Sequence, residues 1–572
     1  MAVEWTKEQR QGIELRNRNI LVSAAAGSGK TAVLVERIIK RITDEQHPVD
    51  VDRLLVVTFT NAAASEMRER IGDAIEAALE REPENHHLQR QQSLIHNAQI
   101  TTIDSFCLYI VRNYFHTIDL EPGFRIADEG ELALLKEQVL DEVLESFYEK
   151  SNEDFTSFME AFATAKSDRN VRSMILELFT TAQSNPWQSE WLDKLDEDYK
   201  KACESPDDSV WMQLALSDYR NSMEDVLREL QKAWNLTQEF DGPQMYAGAI
   251  KSDLELVETL CTKDTYADIV QALTELPAYA RLAAARGYDG SLQKQAQVKA
   301  AREQMKDTIQ KLREKIFFQS QSDLKASLCR QQPMVHVLLE LVRAFTEAYD
   351  KAKRKKSLVD FSDIEHFALD ILVNAKTKEP TPVAEEFRNF FEEVMIDEYQ
   401  DSNYLQEAIL SAVSKIQSGE PNMFMVGDVK QSIYRFRLAR PELFMEKYET
   451  YTKEDSPYQK IELHKNFRSR EGVLAAVNDI FYKIMGKDLG RVRYDEDAAL
   501  YPGADYPALK GEQESSEVIV VEQDSSTERS ILEAGTIGRK IWQLKENGWI
   551  TAPVDPQAGH PNVPPPDADS PV

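Results

Sequence analysis

Cysteine and long apolar runs are what this sequence has least of. Only four of its 572 residues are cysteine, and they stand far apart, at Cys107, Cys203, Cys261 and Cys329. This spacing excludes a Cys-x-x-Cys metal site and a disulfide framework, and it predicts reduced, buried thiols. No run approaches the roughly 18–20 apolar residues of a membrane span, and the N-terminus lacks the basic and apolar segments of a signal peptide. The sequence therefore predicts a soluble, cytoplasmic protein.

Basic residues are also in deficit. Lysine and arginine number 68 against 98 aspartate and glutamate residues, which gives a net charge of −30. This balance excludes a histone-like nucleic-acid binder, but it is compatible with a DNA motor, whose positive groove is local. With 42% hydrophobic residues the chain can build large cores, and at roughly 100–200 residues per domain its length predicts several domains.

Three kinds of segment alternate along the chain. Strand–helix units come first, long amphipathic helices such as Glu131–Glu149 and Ala301–Phe318 follow, and strand–helix alternation then resumes. We predict a parallel α/β sheet interrupted in sequence by an inserted helical domain. A strand is predicted at Ser516–Val521 and a helix at Ser530–Glu546. The predicted segments are 1–115 and 351–455 for the first α/β domain, 116–350 for the helical insertion, 456–546 for a partial second α/β domain and 547–572 for a disordered, proline-rich tail.

A glycine-rich loop follows the first apolar strand, Ile20–Ser23. Its residues are Ala24, Ala25, Ala26, Gly27, Ser28, Gly29, Lys30 and Thr31. Gly27 and Gly29 allow a tight turn whose N–H groups point at phosphate oxygens, beside the N-terminus of the next helix. Lys30 is placed to reach the β- and γ-phosphates, and the Thr31 hydroxyl to bind Mg²⁺. Ala24 stands where the pattern G-x-x-x-x-G-K-[ST] begins with glycine, so an ordinary strand–turn–helix connection stays as the alternative.

Two carboxylates follow another apolar strand much later in the chain. Asp397 and Glu398 come directly after Val394–Ile396, which places them at the edge of a parallel sheet where ligands bind. Asp397 is suited to hold Mg²⁺, and Glu398 to orient or deprotonate the attacking water. An acidic turn after a strand is the alternative. Because both motifs end a strand and come in this order, we favour a site that binds ATP with Mg²⁺ and hydrolyses its terminal phosphate.

Six further motifs, together with the two above, resemble those of superfamily 1 DNA helicases of the UvrD/RecB-like kind. Within these helicases the chain resembles the AddA type, the A subunit of ATP-dependent helicase–nucleases. The resemblance extends to about residue 546. It implies a RecA-like P-loop NTPase fold of class α/β, with a large all-helical insertion and a partial second RecA-like domain. The motifs are Trp5–Gln9, Thr58–Met67, Thr101–Phe106, Val359–Ile364, Gly427–Arg437 and His464–Ser469.

The resemblance also implies a function and roles for single residues. The function is ATP-dependent DNA unwinding in a heterodimer with the family's B subunit, which processes double-strand breaks for recombinational repair. Gln9 would read the adenine, Gln431 would face the phosphates and magnesium, and Arg468 would reach the γ-phosphate as an arginine finger in cis. Contacts to single-stranded DNA are implied for Thr58, Thr60, Asn61, Thr102, Ser105, Phe106, Tyr434, Phe436 and Arg437.

Two features in these motifs, and a third outside them, have more than one interpretation. Tyr434 and Phe436 offer rings on which bases of any sequence stack, at roughly 1–3 kcal/mol per base, with core aromatics as the alternative. Asp104 stands where many relatives have histidine, which leaves its contact open. The basic run Lys351–Lys356 fits a phosphate-tracking surface and a solvated helix end equally well.

Later parts of the family pattern have no counterpart in the sequence. We find no Lys-Gly-Leu-Glu-Phe or Thr-Arg-Ala motif of the second motor domain, and no carboxylate–lysine site of a nuclease domain. We therefore expect a truncated chain that corresponds to the first half of the family's proteins. One hypothesis gives it the helicase activity of an intact relative. The alternative is an ATP- and single-strand-binding module without unwinding or nuclease activity.

Overall fold

The computed structural model describes residues 4–150, 152–164, 167–416, 419–486, 492–506, 516–523 and 528–546. The predicted tail, 547–572, lies outside this set. The chain divides into two compact units. The first comprises the residues up to Ala127, Gln183–Pro186 and those from Ser357 onward, and the second comprises Asp128–Ala182 and Trp187–Lys356. The division into five segments stays a prediction.

A six-stranded parallel sheet forms the centre of the first unit. Its strands are β1 (Asn19–Ala24), β2 (Leu54–Thr58), β3 (Ile100–Thr102), β4 (Glu393–Ile396), β5 (Met423–Gly427) and β6 (Tyr458–Leu463). Their order across the sheet is β3-β2-β4-β5-β1-β6. All residues of β2, β4 and β5 are buried, as expected for strands covered on both faces. The predicted RecA-like α/β class is confirmed.

Helices and two short strand pairs complete the first unit. The core beneath them joins β1, β2 and β5 to the helix that starts at Lys30. The pairs are Arg125–Ile126 with Leu358–Val359, and Lys465–Asn466 with Tyr501–Pro502. The helices are Lys7–Glu14, Lys30–Ile42, Asn61–Arg81, His86–Leu94, Ile103–Tyr114, Phe361–Leu372, Pro382–Phe390, Tyr404–Val413, Pro441–Thr450, Glu471–Ile484 and Arg529–Glu546.

The segment after residue 456 differs from its prediction in two places. Strand β6 pairs with β1, so the sheet of the first domain takes in residues beyond the predicted boundary. Ser516–Val521 was predicted as a strand, and this prediction is wrong, because residues 516–523 have no regular structure. Val518 and Val520 are 87% and 89% exposed. A β-branched run needs a neighbouring strand to become one, and the described part of the chain offers none there.

The second unit is built from long helices. Its main core packs Tyr219, Met223, Met305 and Phe317 together. The predicted helix Glu131–Glu149 is confirmed, and the one predicted at Ala301–Phe318 begins nine residues earlier. The helices are Glu129–Lys150, Glu153–Phe162, Arg169–Gln183, Gln188–Glu204, Val210–Gln238, Ala247–Cys261, Tyr266–Thr274, Leu292–Lys315 and Gln321–Lys355.

Two expectations from composition have different outcomes. None of the described helices combines the length and apolar character that crossing a bilayer requires. The four cysteines are unbridged, but only Cys107 and Cys203 are buried, while Cys261 is partly exposed and Cys329 is exposed. The prediction of four buried thiols is therefore wrong for the last two. Both lie on amphipathic helices, where one position in the sequence does not reveal which face is covered.

Candidate active site

The glycine-rich loop connects β1 to helix Lys30–Ile42 through two left-handed glycines. Gly27 has φ 67° and Gly29 has φ 83°, a region that residues with a Cβ rarely adopt. A Cβ at Gly27 would also lie 2.7 Å from Asn466 Nδ2 and 2.9 Å from Arg468 Cβ. The loop therefore turns as an anion-binding loop does, and it delivers Lys30 as the first residue of the helix.

Lys30 and the two predicted carboxylates meet at the end of β4. Lys30 Nζ lies 2.8 Å from Glu398 Oε2 and 3.1 Å from Oε1. Asp397 is buried, and burial, followed by the charge of Glu398, raises its pKa to about 6. Glu398 has φ 51°, so its side chain leaves the strand in another direction from that of Asp397. The sheet edge thus concentrates two carboxylates and one ammonium group.

A cavity of about 380 Å³ opens between the loop and these carboxylates. The predicted residues that line it are Ala26, Gly27, Gly29, Lys30, Thr31, Asp397, Glu398, Gln431 and Arg468. Four further lining residues, Ala63, Glu66, Met67 and Arg70, come from helix Asn61–Arg81. Sequence reasoning assigned the start of that helix to DNA, and only the helical period shows that one face of it points back to the loop.

Gln400 bridges two motifs, and the sequence analysis did not identify it. Its Nε2 donates to Glu398 Oε2 at 2.8 Å and to Asp401 Oδ2 at 3.2 Å. Its Oε1 accepts from the Asp428 backbone N–H at 3.0 Å. Asp428 in turn accepts from Gln431 Nε2 at 2.7 Å. One buried amide therefore connects the carboxylates after β4 to the segment after β5.

Gln9 lies next to the loop, below a second cavity of about 320 Å³. Its Nε2 donates to the Ser28 carbonyl oxygen at 3.0 Å, and its Oε1 accepts from the Thr6 N–H at 3.0 Å. Phe467 and Tyr501 are among the residues that line this cavity. Because an amide has two N–H groups and two lone pairs, these two contacts use one N–H group and one lone pair of the Gln9 amide.

The segment around Arg468 is fixed to the loop by a residue that the sequence analysis also missed. Asn466 Nδ2 donates to the Ala26 carbonyl oxygen at 2.7 Å, and Asn466 Oδ1 accepts from the Arg468 N–H at 2.9 Å. The Phe467 N–H donates to the Gly27 carbonyl oxygen at 2.8 Å. Arg468 is exposed and lines the cavity. Asn466 thus holds the arginine beside the glycine-rich loop.

An aromatic platform forms where the segment after β2 meets the segment after β5. We use that name for Phe59, Tyr434, Phe436 and Arg437. The Phe59 and Tyr434 ring centroids are 4.7 Å apart, and those of Tyr434 and Phe436 are 5.9 Å apart. The Arg437 guanidinium lies 5.3 Å from the centre of the Tyr434 ring. Phe436 is 77% exposed, so it is not a core aromatic. Phe59 lies inside the motif Thr58–Met67, and the motif alone did not single it out as a contact residue.

The remaining predicted DNA contacts differ in exposure. Thr60 and Asn61 are exposed at the start of helix Asn61–Arg81. Thr58 and Thr102 are buried, and their hydroxyls bind the Thr60 carbonyl oxygen at 3.0 Å and Ser105 Oγ at 2.9 Å. These two threonines therefore shape the loops beside them instead of presenting their hydroxyls to solvent.

Phe106 needs a correction, because it is fully buried. Its ring packs edge-on against Phe387 and Phe391, with centroids 5.9 and 6.0 Å away. A ring in the core cannot stack on a base, so Phe106 is a packing residue in this structure. The motif places it on helix Ile103–Tyr114, and the sequence does not show which face of that helix is covered.

Asp104, whose contact was open, pairs with a carboxyl group of the same unit. A side-chain hydrogen bond joins it to Glu365 on helix Phe361–Leu372. Burial, followed by the charge of Asp104, raises the pKa of Glu365 to about 8. Gln406 Nε2 donates to Glu365 Oε1 at 2.8 Å. The two carboxyl groups therefore share a proton at neutral pH.

The basic run at the end of helix Gln321–Lys355 is divided by burial. Lys353 is buried, with its Nζ 4.3 Å from the centre of the Tyr349 ring. Lys351, Arg354, Lys355 and Lys356 are exposed. Lys353 is thus a packing residue, and both interpretations stay open for the four exposed side chains.

Comparison with known proteins identifies similar sequences. Residues 5–452 match the UvrD/REP helicase N-terminal domain family. A relative from Lachnoclostridium phytofermentans, named as the A subunit of an ATP-dependent helicase/nuclease, is 47% identical over 540 residues, which are 92% of this chain and 39% of the relative. Proteins of the same name from Bacillus cereus and Bacillus cytotoxicus are 42% and 41% identical, over 96% of this chain and 45% of each relative. The chain spans less than half the length of these curated relatives. The matches confirm the resemblance found in the motifs.

Proposed function

The chain belongs to the UvrD/REP helicase family, and from this premise we propose that its first unit is the ATP-binding lobe of a motor that moves along DNA. Within the family, we propose the role of the A subunit in a helicase–nuclease that processes double-strand breaks for recombinational repair. The observation that carries the proposal is the convergence of Lys30, Asp397 and Glu398 on one cavity beside the phosphate loop. The names of the relatives support the assignment to a helicase–nuclease.

The donor set of the cavity fits ATP with magnesium. Mg²⁺ prefers oxygen ligands, and the Thr31 hydroxyl and the Asp397 carboxylate both line the cavity. When bound, the ion neutralises charge that develops on the phosphate oxygens. Gln9 would bind the adenine in the neighbouring cavity, next to Ser28. Loop residues 24–31 would hold the phosphates with their backbone N–H groups.

When a nucleotide binds, its γ-phosphate would replace Glu398 as the partner of Lys30. Its ammonium group now pairs with Glu398, and a γ-phosphate within reach would compete for it. Glu398 would then be released to orient or deprotonate the attacking water, while Gln400 keeps its carboxylate in place through the 2.8 Å hydrogen bond. Arg468 would add positive charge at the γ-phosphate. The backbone bond between the Phe467 N–H and the Gly27 oxygen keeps this arginine near the loop.

The same chain of contacts offers a route from the phosphates to a DNA strand. Gln400 and Gln431 both bind Asp428, and Tyr434 of the aromatic platform lies three residues after Gln431. Bases of a single strand would stack on Phe436 and Tyr434 without regard to sequence, and Arg437 would bind their phosphates. We propose the B subunit of the helicase–nuclease as the protein partner and single strands and duplex ends as the substrates.

ATP hydrolysis with and without single-stranded DNA tests the proposal. We expect DNA to stimulate hydrolysis, and we expect Lys30→Ala and Glu398→Gln to abolish it. The Glu398→Gln variant should still bind a fluorescent ATP analogue, since it keeps Lys30. Lys40→Ala, on the exposed side of the same helix, serves as the matched control and should behave as the unchanged chain does.

A strand-displacement assay separates the two functional hypotheses. If DNA-stimulated hydrolysis comes with duplex unwinding, the 572-residue chain is itself a helicase. If the chain binds ATP and single strands but opens no duplex, the binding-module alternative describes it. Hydrolysis equal to that of Lys30→Ala, together with no binding of the ATP analogue, would contradict the proposed site.

A further inference from the structure

Two cysteines of the second unit meet where two of its helices pack. Helix Gln188–Glu204 ends beside the first third of helix Gln321–Lys355. There the Cys329 Sγ–H donates to the Cys203 carbonyl oxygen at 3.5 Å. The two thiols also contact each other through their side chains. Residues 126 positions apart in the sequence thus bring their sulfur atoms together.

Contacts on both sides hold the two helices at this point. Lys325 Nζ donates to the Glu204 carbonyl oxygen at 2.7 Å, one helical turn before Cys329. Tyr199 Oη donates to Gln331 Oε1 at 3.0 Å, about one turn before Cys203. The cysteines are therefore carried by two helices that are held together on either side of them, which keeps the two thiols in contact.

The two thiols have different environments. Cys329 is exposed, whereas Cys203 is buried. Burial, followed by the contact with Cys329, raises the pKa of the Cys203 thiol to about 11. A thiol reacts as its thiolate, so the accessible Cys329 reacts first with a reagent from solution. Cys203 then reacts within the protein, where its partner is already beside it.

We propose that Cys203 and Cys329 are a redox-modification site that closes to a reversible intramolecular disulfide with a low-molecular-weight disulfide as the oxidant. The Cys329 thiolate attacks one sulfur of that disulfide, whose S–S bond breaks and releases one small thiolate. The Cys203 thiolate then attacks the Cys329 sulfur of the mixed disulfide and releases the second. Two cysteine thiols are oxidised, one small disulfide is reduced to two thiols, and the two cysteine protons pass to these products.

Closing this bond would join two helices across a large loop of the chain. A cross-link over 126 residues removes much of the freedom of the unfolded chain. The oxidised second unit should therefore resist thermal unfolding better than the reduced one. The site would let the helical unit respond to oxidising conditions while the nucleotide-binding residues stay as they are.

The test uses the full chain treated with oxidised glutathione. After the remaining thiols are alkylated, mass spectrometry of a digest should find the peptides of residues 203 and 329 linked within a monomer. The melting temperature should rise by about 5–10 °C and return on reduction. Cys329→Ser should lose both effects, and Cys203→Ser should accumulate the mixed disulfide at Cys329.

Cys261→Ser is the matched control, since Cys261 lies in the same unit and is partly exposed. It should keep the linked peptide and the temperature shift. Three results would overturn the proposal: a glutathione adduct that persists on Cys329 of the unchanged chain, linkage of Cys329 between two molecules, or a shift that Cys329→Ser retains.

Discussion

At the scale of single residues, aromatic rings near the predicted DNA path fall into two groups. Phe106 is fully buried against Phe387 and Phe391, while Phe436 is largely exposed in the aromatic platform. Both were predicted as DNA contacts, because a motif shows the residue type and spacing but not which side of the segment is covered. The two rings should therefore respond to truncation in opposite ways.

We expect Phe436→Ala to weaken binding of single-stranded DNA by roughly 1–3 kcal/mol, since one stacking surface is lost. The free energy of unfolding of the Phe436→Ala variant should differ from that of the unchanged chain by less than about 0.5 kcal/mol. Phe106→Ala should lower the free energy of unfolding by about 3–5 kcal/mol through the cavity it leaves. Fluorescence anisotropy with a labelled oligonucleotide and urea unfolding measure the two effects. A stable Phe436→Ala variant with unchanged DNA affinity would contradict the role of the platform.

The carboxyl pair of Asp104 and Glu365 predicts how stability depends on pH. The pKa of Glu365 rises from its ordinary value of 4.5 to about 8 in the folded chain. Between these values the folded chain keeps a proton that the unfolded chain has released. The stability contributed by this proton is therefore complete below about pH 4.5 and is lost as the pH rises through about 8.

Glu365→Gln should remove this dependence. A glutamine keeps an oxygen for Gln406 and an N–H for Asp104, but it has no proton to lose. At pH 8.5 we expect the variant to exceed the unchanged chain in free energy of unfolding by about 2 kcal/mol or more, since one pKa unit is worth about 1.4 kcal/mol. At pH 5 the difference should be small. Glu69→Gln, at an exposed position, is the control, and equal pH profiles for all three chains would contradict the shared proton.

At the scale of elements, a buried ion pair joins four parts of the first unit. Arg37 Nε donates to Glu393 Oε1 at 2.7 Å, and Arg37 Nη1 donates to the Gly12 carbonyl oxygen at 2.7 Å. The guanidinium lies 4.4 Å from the centre of the Phe424 ring. Arg37 therefore links helix Lys30–Ile42 to β4, β5 and the N-terminal helix.

Arg37→Met should lower the free energy of unfolding by about 3–5 kcal/mol, because Glu393 would stay buried with only the more distant Arg41, 3.4 Å away, as its counter-charge. Arg37→Met combined with Glu393→Met should recover much of this loss, since neither charge is then buried. Lys40→Met removes an exposed pair with Glu14 on the same helix, and it should change stability by less than about 1 kcal/mol. Chemical unfolding of the unchanged chain and these three variants measures the differences, and equal losses for Arg37→Met and Lys40→Met would contradict the role of the buried pair.

The strands show which elements a sequence predicts well. The bounds predicted for β1 and β4 are correct to within one residue at each end, because each of these strands is an apolar run that is buried in the sheet. β6 was not assigned to this sheet. Its polar residues Gln459 and Glu462 are buried because other side chains bind them: Arg18 contacts Gln459, and Tyr448 and Lys453 contact Glu462. The pairing of Arg18 with Gln459 joins distant parts of the sequence. The strand predicted at Ser516–Val521 is wrong for the opposite reason. Its composition favours a strand, but composition alone does not supply the neighbouring strand that it needs.

At the scale of the whole molecule, the two units have separate cores. The candidate nucleotide site lies entirely in the first unit, and the cysteine pair lies entirely in the second. A ligand of one unit should therefore stabilise that unit alone.

Calorimetry should show two unfolding transitions. A non-hydrolysable ATP analogue with Mg²⁺, at about a hundred times its Kd, should stabilise one transition by about 2.7 kcal/mol and leave the other where it was. Lys30→Ala should lose this shift, while Lys40→Ala should keep it. A single transition that moves as a whole with the analogue would show that the units unfold together.

The candidate site was predictable where topology alone brings residues together. Lys30 and Asp397 follow the ends of parallel strands, and such ends meet at one edge whatever lies between them in sequence. Gln400, Asn466 and Phe59 were missed for a different reason. Their roles come from side-chain contacts between segments that are distant in sequence, and no local pattern encodes such contacts.

The pairing of Lys30 with Glu398 has a consequence for anion selectivity. Any anion that enters the loop must displace a carboxylate that already satisfies the lysine at 2.8 Å. Inorganic phosphate would make few other contacts and would therefore compete poorly with Glu398 for this lysine. If the proposed function holds, a triphosphate would bind because its base and its other phosphates add contacts. The ion pair would then disfavour rebinding of the phosphate that ATP hydrolysis releases, and so would limit product inhibition.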